Sequence, residues 1–365
     1  MSTIAIDARE LRTSTGRYVE RLLHYLQDVD SENDYLVLLK PDDIKGWQPH
    51  NKRFKTIACP YKEFTFAEQL GFLKQLNSLK PDLVHFCLTQ QPVLYRGKTI
   101  TTVHDLTTAR FRNPAKNPVI FFVKQQVYKL IIHLVARKSS AIFTASKFVK
   151  DDLANYTHID PQKIIVTYES ADPITEDAKP LQALVGKQFI MYVGRPQPHK
   201  NLPRLIEAFG ILKQSFPELI LVLAGKKDTL YEQIAKDVLG RGIKDVVFTG
   251  FVSEGELRWL YQNTACYVFP SLSEGFGLPG LEAMLHGAPV ASSNVTCLPE
   301  IYQNGAAYFD PLDTHDLSTV VAKIITDQVY ANKLRTSGRE RATCFSWKKM
   351  ANISFLEYQK ALAKK

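Results

Sequence analysis

Residues 273–284 read SEGFGLPGLEAM, and Glu274 and Glu282 bracket seven residues, three of them glycine. Two carboxylates about a glycine-rich loop suit a ligand that carries both hydroxyls and an anion. The upstream run ACYVFPS reads as a strand. LPGLEAMLHG reads as a helix with Pro279 in its first turn, where the missing N–H costs nothing. The loop therefore lies at a strand's carboxyl end and feeds a helix N-terminus. There the N–H groups of Phe276, Gly277 and Leu278, helped by the helix dipole, suit phosphate, and Gly275 lets the backbone come close. The spelling Gly275-x-Gly277-x-x-Gly280 also matches a dinucleotide fingerprint. That fingerprint belongs after the first strand of its domain, with Asp or Glu ending the next strand. Here the loop follows the fourth strand, and the next strand, PVASSN, ends in Ser293-Asn294. A dehydrogenase reading is therefore set aside. In its place Glu282, expected in the first helical turn, holds a ribose and Glu274 faces another part of the ligand. Simple complementing of the helix dipole is the competing role for Glu282.

A second stretch, YVGRPQPHKNL (192–202), places Arg195 and Lys200 after another strand end and before another helix. A bidentate guanidinium and a point-charge ammonium converging on one cleft suit a diphosphate. TVHDL (102–106) sets His104 at a strand end in the other half of the chain, and TSTGRY (13–18) sets Gly16 between the first strand and the first helix. Asp28-Val-Asp30, the D-x-D spelling a metal-dependent transferase would want, ends the first helix and reads as a solvated surface turn. No metal site and no cofactor are expected. Neither a P-loop nor a G-x-S-x-G elbow occurs, so P-loop hydrolysis and the common serine-hydrolase plan are unsupported.

These residues need elements to hold them. Strand candidates TIAIDA, YLVLL, FKTIAC, DLVHFC, TITTVHD, AIFTAS and KIIVTY alternate with helical patterns in the first half. FIMYVGR, LILVLAG, VVFTGF, ACYVFPS and PVASSN do so in the second. Such alternation predicts α/β structure with parallel sheets and right-handed crossovers, here two doubly wound domains with ligands at the strand carboxyl ends. The expected division is a first doubly wound domain at 1–172, a linker at 173–187, a second doubly wound domain at 188–345 and a closing helix at 346–365 that returns toward the first domain. Two such domains would face one another across a cleft. The 365 residues suit two cores. The start MSTIAIDARELR reads as a strand rather than a signal peptide, and no stretch is expected to reach bilayer-spanning length. Five cysteines, an odd number without C-x-x-C, point to a reducing cytoplasm.

The chain resembles the retaining glycosyltransferases of family 4, which include glycogen and sucrose synthases and many bacterial mannosyltransferases. The residues that carry the likeness are the DAR…GRY start, VHDL, YVGR…HKNL, LAGK, EGFGLPGLEAM, SSNVTCLPE and a late FSW. TGRY, TVHDL and LAGKKDTLYEQI are most similar to O-antigen-type mannosyltransferases. The resemblance implies the GT-B fold and metal-independent hexosyl transfer from a nucleotide diphosphate sugar, with GDP-mannose the first guess, to a glycan or lipid-linked acceptor. It implies that Arg195, Lys200 and the loop N–H groups stabilise the leaving diphosphate, and that Glu282 holds ribose. Glu274 would hold donor-sugar hydroxyls and support charge at the anomeric carbon. His104 would contact the sugar and Gly16 would lie near the donor phosphates. The proton would pass from acceptor to the leaving phosphate oxygen, so no protein base is assigned. The chain departs from the family pattern at Ser14, where a glycine is usual, at Glu169-Ser170 in place of Asn-Gly, and at Gly280 in place of a bulkier residue. A sugar-nucleotide epimerase and a non-enzymatic nucleic-acid-binding module are the alternatives.

The second of these rests on charge. Arg96, Lys98, Arg110, Arg112, Lys116, Lys124, Lys129, Arg137, Lys138, Lys147 and Lys150 face only Asp105 between residues 96 and 150, a surplus of +10 against +9 for the whole chain. No RNA-binding signature accompanies it, and no nucleic-acid partner is expected. Within this block, 117–138 reads as one helix. Leu130, Val123, Leu134, Val127, Ile120 and Ile131 form its main apolar face, extended by Val135, Tyr128, Phe121 and Ile132. The two readings are a helix buried between its sheet and a neighbour, with a solvated basic edge, and a helix docking the domain peripherally on an anionic membrane.

Overall fold

The computed structural model describes residues 1–13, 15–112 and 117–364. Ser14 and Lys116 therefore lie outside the described residues. The chain divides into two compact units. The first comprises Met1–Arg110, Pro118–Glu169 and Ser346–Lys365; the second comprises Ser170–Phe345 and a short stretch around Phe111.

The first unit holds β1 (Thr3–Asp7), β2 (Asp34–Leu39), β3 (Phe54–Ala58), β4 (Leu83–Phe86), β5 (Thr99–Thr102), β6 (Ala141–Thr144) and β7 (Ile164–Val166). All pairs are parallel, in the order β3-β2-β1-β4-β5-β6-β7. The second unit holds β8 (Phe189–Val193), β9 (Ile220–Ala224), β10 (Val246–Gly250), β11 (Cys266–Phe269), β12 (Val290–Ser293) and β13 (Ala306–Phe309). Their order is β10-β9-β8-β11-β12-β13, again with every pair parallel. Each sheet starts in its middle and winds outward in both directions, so the order reverses between β1 and β4 and between β8 and β11. Ligands bind at that crevice in doubly wound sheets.

The strands are short runs of Ile, Val, Leu and Phe because helices cover both sheet faces. In β4, β5 and β9 every residue is buried. All the strands proposed from sequence form. β13, AAYF, is the one that reasoning missed; two alanines and a preceding Asn-Gly gave it too little apolar signal.

Two further expectations are corrected. Asp30 is not solvated but 1% exposed. Its carboxylate accepts hydrogen bonds from Tyr35 Oη at 2.6 Å, Asn33 Nδ2 at 2.8 Å and Glu32 N at 2.8 Å. Burial would raise its pKa, but these donors outweigh it and hold the carboxyl below its usual value. The D-x-D spelling thus ends a helix and fixes a turn. Second, the helix Pro118–Lys138 is long and apolar enough by composition to cross a bilayer. It nonetheless packs one face into the core of the first unit, through Tyr128, Ile132 and Ala136 against Val103, Ile142 and Leu153.

The helix Trp347–Ala363 closes the first unit, with Tyr358 fully buried. The stretch 174–179 lies along the second unit. Ile174 N donates to His286 Nε2 at 3.1 Å, Glu176 Oε2 accepts from Gly255 N at 3.2 Å, and Lys179 N donates to Gly255 O at 2.9 Å. Cys59, Cys87, Cys266 and Cys297 are free and buried, and Cys344 is free and exposed.

Candidate active site

In the second unit the chemistry gathers where the sheet order reverses. After β8, Gly194 leads to Arg195, and a short turn, Pro198–Lys200, brings up Lys200. Asn201 then takes a left-handed conformation, φ 61°. Its Nδ2 donates to Pro270 O at 3.1 Å and to Pro311 O at 2.8 Å, and Leu272 N donates to His199 O at 2.7 Å. These bonds stitch the β8 loop to the β11 loop. The result is a direct ion pair, Lys200 Nζ to Glu274 Oε1 at 2.6 Å, with both side chains mostly buried. Two residues 74 apart in sequence thus share one point at the strand carboxyl ends.

Arg195 does not converge on that pair. Its side chain is 66% exposed, and the guanidinium faces Asp228 Oδ2 at 3.8 Å. Asp228 also caps the helix Thr229–Gly240 through Leu230 N and Tyr231 N, and Tyr231 Oη donates to Gly194 O at 2.8 Å. Arg195 therefore stands on a braced loop with its head in solvent.

The loop itself is shaped by a residue that sequence reasoning missed. Tyr302 is fully buried, and its Oη donates to Gly277 O at 2.5 Å. A Cβ on Gly280 would overlap the Tyr302 hydroxyl, and one on Gly277 would overlap that hydroxyl and Leu298. Gly277 also has φ +90°, which disfavours any side chain. The absence of a side chain at Gly280 thus leaves the space this tyrosine takes. Phe276 turns its ring inward, 5.3 Å from Phe345 and edge-on, so its side chain packs rather than facing a ligand. Leu278 begins the helix Leu278–Leu285, with Gly277 as N-cap. Glu282 is the fifth residue of that helix, one turn further in than expected, and half-buried. Cys297 Sγ donates to Glu274 O at 3.3 Å, which pins the glutamate's backbone from below.

In the first unit, Gly16 opens the helix Gly16–Val29, its N–H donating to Thr13 O at 3.1 Å. Tyr18, next but one, is buried with its ring edge-on to His104 at 4.9 Å. Both ring nitrogens of His104 meet an acceptor: Nδ1 faces Glu169 Oε1 at 3.3 Å and Nε2 faces Cys87 O at 3.1 Å. A neutral imidazole has one N–H, so two acceptors favour the doubly protonated ring. Burial alone would lower the His104 pKa, but the Glu169 hydrogen bond and charge, the Cys87 carbonyl and Asp105 together raise it above the usual value. Glu169 is thus the partner of His104.

Behind His104 runs a buried polar chain. Tyr358 Oη lies 2.6 Å from His85 Nδ1, His85 Nε2 lies 2.8 Å from Thr102 Oγ1, and Tyr18 Oη lies 2.8 Å from that same oxygen. Burial, with a smaller push from His104, depresses the His85 pKa to about 3, so its ring is neutral. A second buried group props the neighbouring loops. Arg9 forks onto Asp7 through Nε at 2.8 Å and Nη2 at 2.7 Å. It also reaches Glu68 Oε1 at 3.0 Å, Tyr61 O at 2.9 Å and Gln90 O at 3.3 Å. The DAR spelling is therefore a brace that ties the loops after β1, β3 and β4.

Residues 15–173 match the family described as Glycosyltransferase Family 4, and residues 173–341 match that described as Glycosyl transferases group 1. The chain belongs to the GT-B glycosyltransferases. It is 30% identical over 283 residues to the serotype-specific mannosyltransferase WbdA of Escherichia coli, covering 73% of this chain and 34% of that protein. The chain thus matches about a third of the length of the WbdA relatives. It is 28% identical to the O-antigen chain mannosyltransferase RfbU of Salmonella typhimurium over 65% of this chain and 64% of the relative. Among solved structures, sucrose-phosphate synthase of Thermosynechococcus elongatus superposes over the whole of both chains with a TM-score of 0.78 at 18% identity. HepE of Anabaena, solved with UDP and glucose, does so with 0.76 at 15% identity, covering 99% of this chain. At such identities the structural likeness bears on fold, and both two-sheet neighbours agree with the GT-B architecture.

Proposed function

We propose that this GT-B chain is a cytoplasmic hexosyltransferase. It moves a sugar, mannose as the first candidate, from a nucleotide diphosphate sugar to a glycan or lipid-linked acceptor, with retention and without a metal ion. The observation that carries the reading is the Lys200–Glu274 pair, held at the sheet reversal beside a glycine-shaped loop that enters a helix N-terminus. The names of the WbdA and RfbU relatives favour mannose.

Each residue then has a defined task. Lys200 and the loop N–H groups of Gly275, Phe276, Gly277 and Leu278 meet the charge that builds on the departing diphosphate, and Arg195, free to swing on its braced loop, joins them. Donor phosphate takes the place of Glu274 at Lys200. This releases the carboxylate toward the sugar hydroxyls and the electron-poor anomeric carbon. Glu282, further along the helix, holds the ribose. His104, held cationic by Glu169, contacts the sugar. The bond from anomeric carbon to phosphate oxygen breaks, the acceptor oxygen bonds to that carbon on the same face, and its proton passes to the leaving phosphate oxygen.

The deciding experiment is a panel of GDP- and UDP-sugars incubated with the chain and candidate acceptors, with and without EDTA. Transfer that needs an acceptor, survives chelation and gives the donor's anomeric configuration by NMR supports the reading. Conversion of the donor without acceptor would point to an epimerase, and loss of turnover on chelation would place a metal in the site.

A further inference from the structure

The helix Pro118–Lys138 has two apolar faces. Tyr128, Ile131, Ile132 and Val135 are buried in the first unit's core. Val119, Ile120, Val123, Val127, Leu130 and Leu134 all face outward, between 42% and 70% exposed. At 3.6 residues per turn these six fall in one stripe ~100° wide. Of the main face expected from sequence, Ile131 is buried and Ile120, Val123, Val127, Leu130 and Leu134 are exposed, while Val135, Tyr128 and Ile132, expected to extend it, are buried. An exposed aliphatic face of this length marks an interaction surface.

The surroundings say with what. Lys124 and Arg137 flank the stripe and are exposed, and no Asp or Glu occurs between Asp105 and Asp151. Lys124 Nζ lies 5.6 Å from the centre of the Phe64 ring, and Phe66, two residues on, is exposed. At the other end Lys138 Nζ donates to Val93 O, and the adjacent Leu94 is exposed. Not all of the basic block is available: Arg110 is forked onto Asp152, and Lys98 holds the Leu362 and Lys364 carbonyls. Lys124 and Arg137, beside the stripe, are among the exposed cations of the block.

We propose that this face docks on an anionic bilayer surface, with the helix lying in the interface, the stripe at the acyl boundary and the cations among lipid phosphates. Charge decides among the occupants. A second copy would bring the same positive surplus against itself, whereas anionic lipid satisfies both the stripe and its rim. A transmembrane path would tear Tyr128, Ile132 and Ala136 out of the core. The inference borrows from the transfer reading only its purpose, since an enzyme docked in this way meets lipid-linked acceptors directly.

The test is cosedimentation of the full chain with vesicles of phosphatidylcholine alone, and of phosphatidylcholine and phosphatidylglycerol in equal parts. The chain should pellet with the anionic vesicles only, and should be released in about 1 M salt, where the Debye length falls to about 3 Å. Two variants should each lower the partition at least about tenfold without lowering the melting temperature: Lys124→Glu/Lys129→Glu/Arg137→Glu and Val123→Ser/Val127→Ser/Leu130→Ser. A chain that stays in the supernatant with anionic vesicles overturns the proposal. So does a stripe variant that pellets like the wild type, or a solution dimer that the stripe variant turns into monomer. The vesicles contain neither donor nor acceptor, so the result stands or falls apart from the transferase reading.

Discussion

At the scale of the residue, the proposed function asks a donor phosphate to compete at Lys200 with a carboxylate already seated at 2.6 Å. Lys200→Met should lower kcat/KM by about 100- to 1000-fold, the loss typical of one preorganised group that stabilises developing charge. Near-normal transfer would remove Lys200 from the site. Glu274→Gln should instead slow turnover while tightening the free nucleotide diphosphate, since the competitor is weakened. Glu282→Gln should weaken that same nucleotide, and calorimetry separates the two. At His104, the raised pKa means the ring stays charged to higher pH than an ordinary histidine. Glu169→Gln should move the His104 titration, read from its imidazole NMR signals, to lower pH. An unchanged midpoint would mean that the carboxylate does not act on the ring. Arg9 is fully buried among two carboxylates and two carbonyls, so Arg9→Met should cost about 3–5 kcal/mol of stability by stranding Asp7 and Glu68.

Elements explain what sequence could and could not tell. The strands were legible because parallel strands buried on both faces become continuous apolar runs, and the site loops because they follow those runs. Glu274 and Lys200 were named from such positions, but their direct pairing was not, because it depends on Asn201 and His199 stitching two loops together. Tyr302 was invisible for a similar reason: nothing in EIYQNG says that its hydroxyl will lie under Gly277. The helix 118–138 misled because both its faces are apolar, and periodicity alone cannot say which of two apolar faces meets the sheet. Gly280→Leu should therefore destabilise by more than about 2 kcal/mol through overpacking against Tyr302, and chemical denaturation will measure it. His85 offers a pH handle on the same scale. Its pKa is depressed, so the folded chain resists a proton that the unfolded chain accepts below pH ~6.5, and stability is lost as pH falls from there toward 3. His104, shifted the other way, opposes part of this. The difference between wild type and His85→Gln cancels that opposing share and should shrink by about 1–2 kcal/mol between pH 6.5 and 5.

For the whole molecule, the two units differ in how the chain builds them. The second is almost continuous, from Ser170 to Phe345, whereas the first is assembled from segments at both ends of the sequence. The helix that completes it, Trp347–Ala363, delivers Tyr358 to His85 and fills the space beside the helix Gly16–Val29. The first unit is therefore expected to close only after the last helix has been made. All the strands of the later-made unit are synthesised before the earlier one can close, which inverts the usual N-to-C order of domain maturation. A nascent chain halted at Phe345 should hold a protease-resistant second unit behind a labile first one, with His85 open to solvent and readily alkylated. Supplying residues 346–365 as a separate peptide should restore resistance. A first unit already resistant before its last helix emerges would show that the helix only decorates a finished fold.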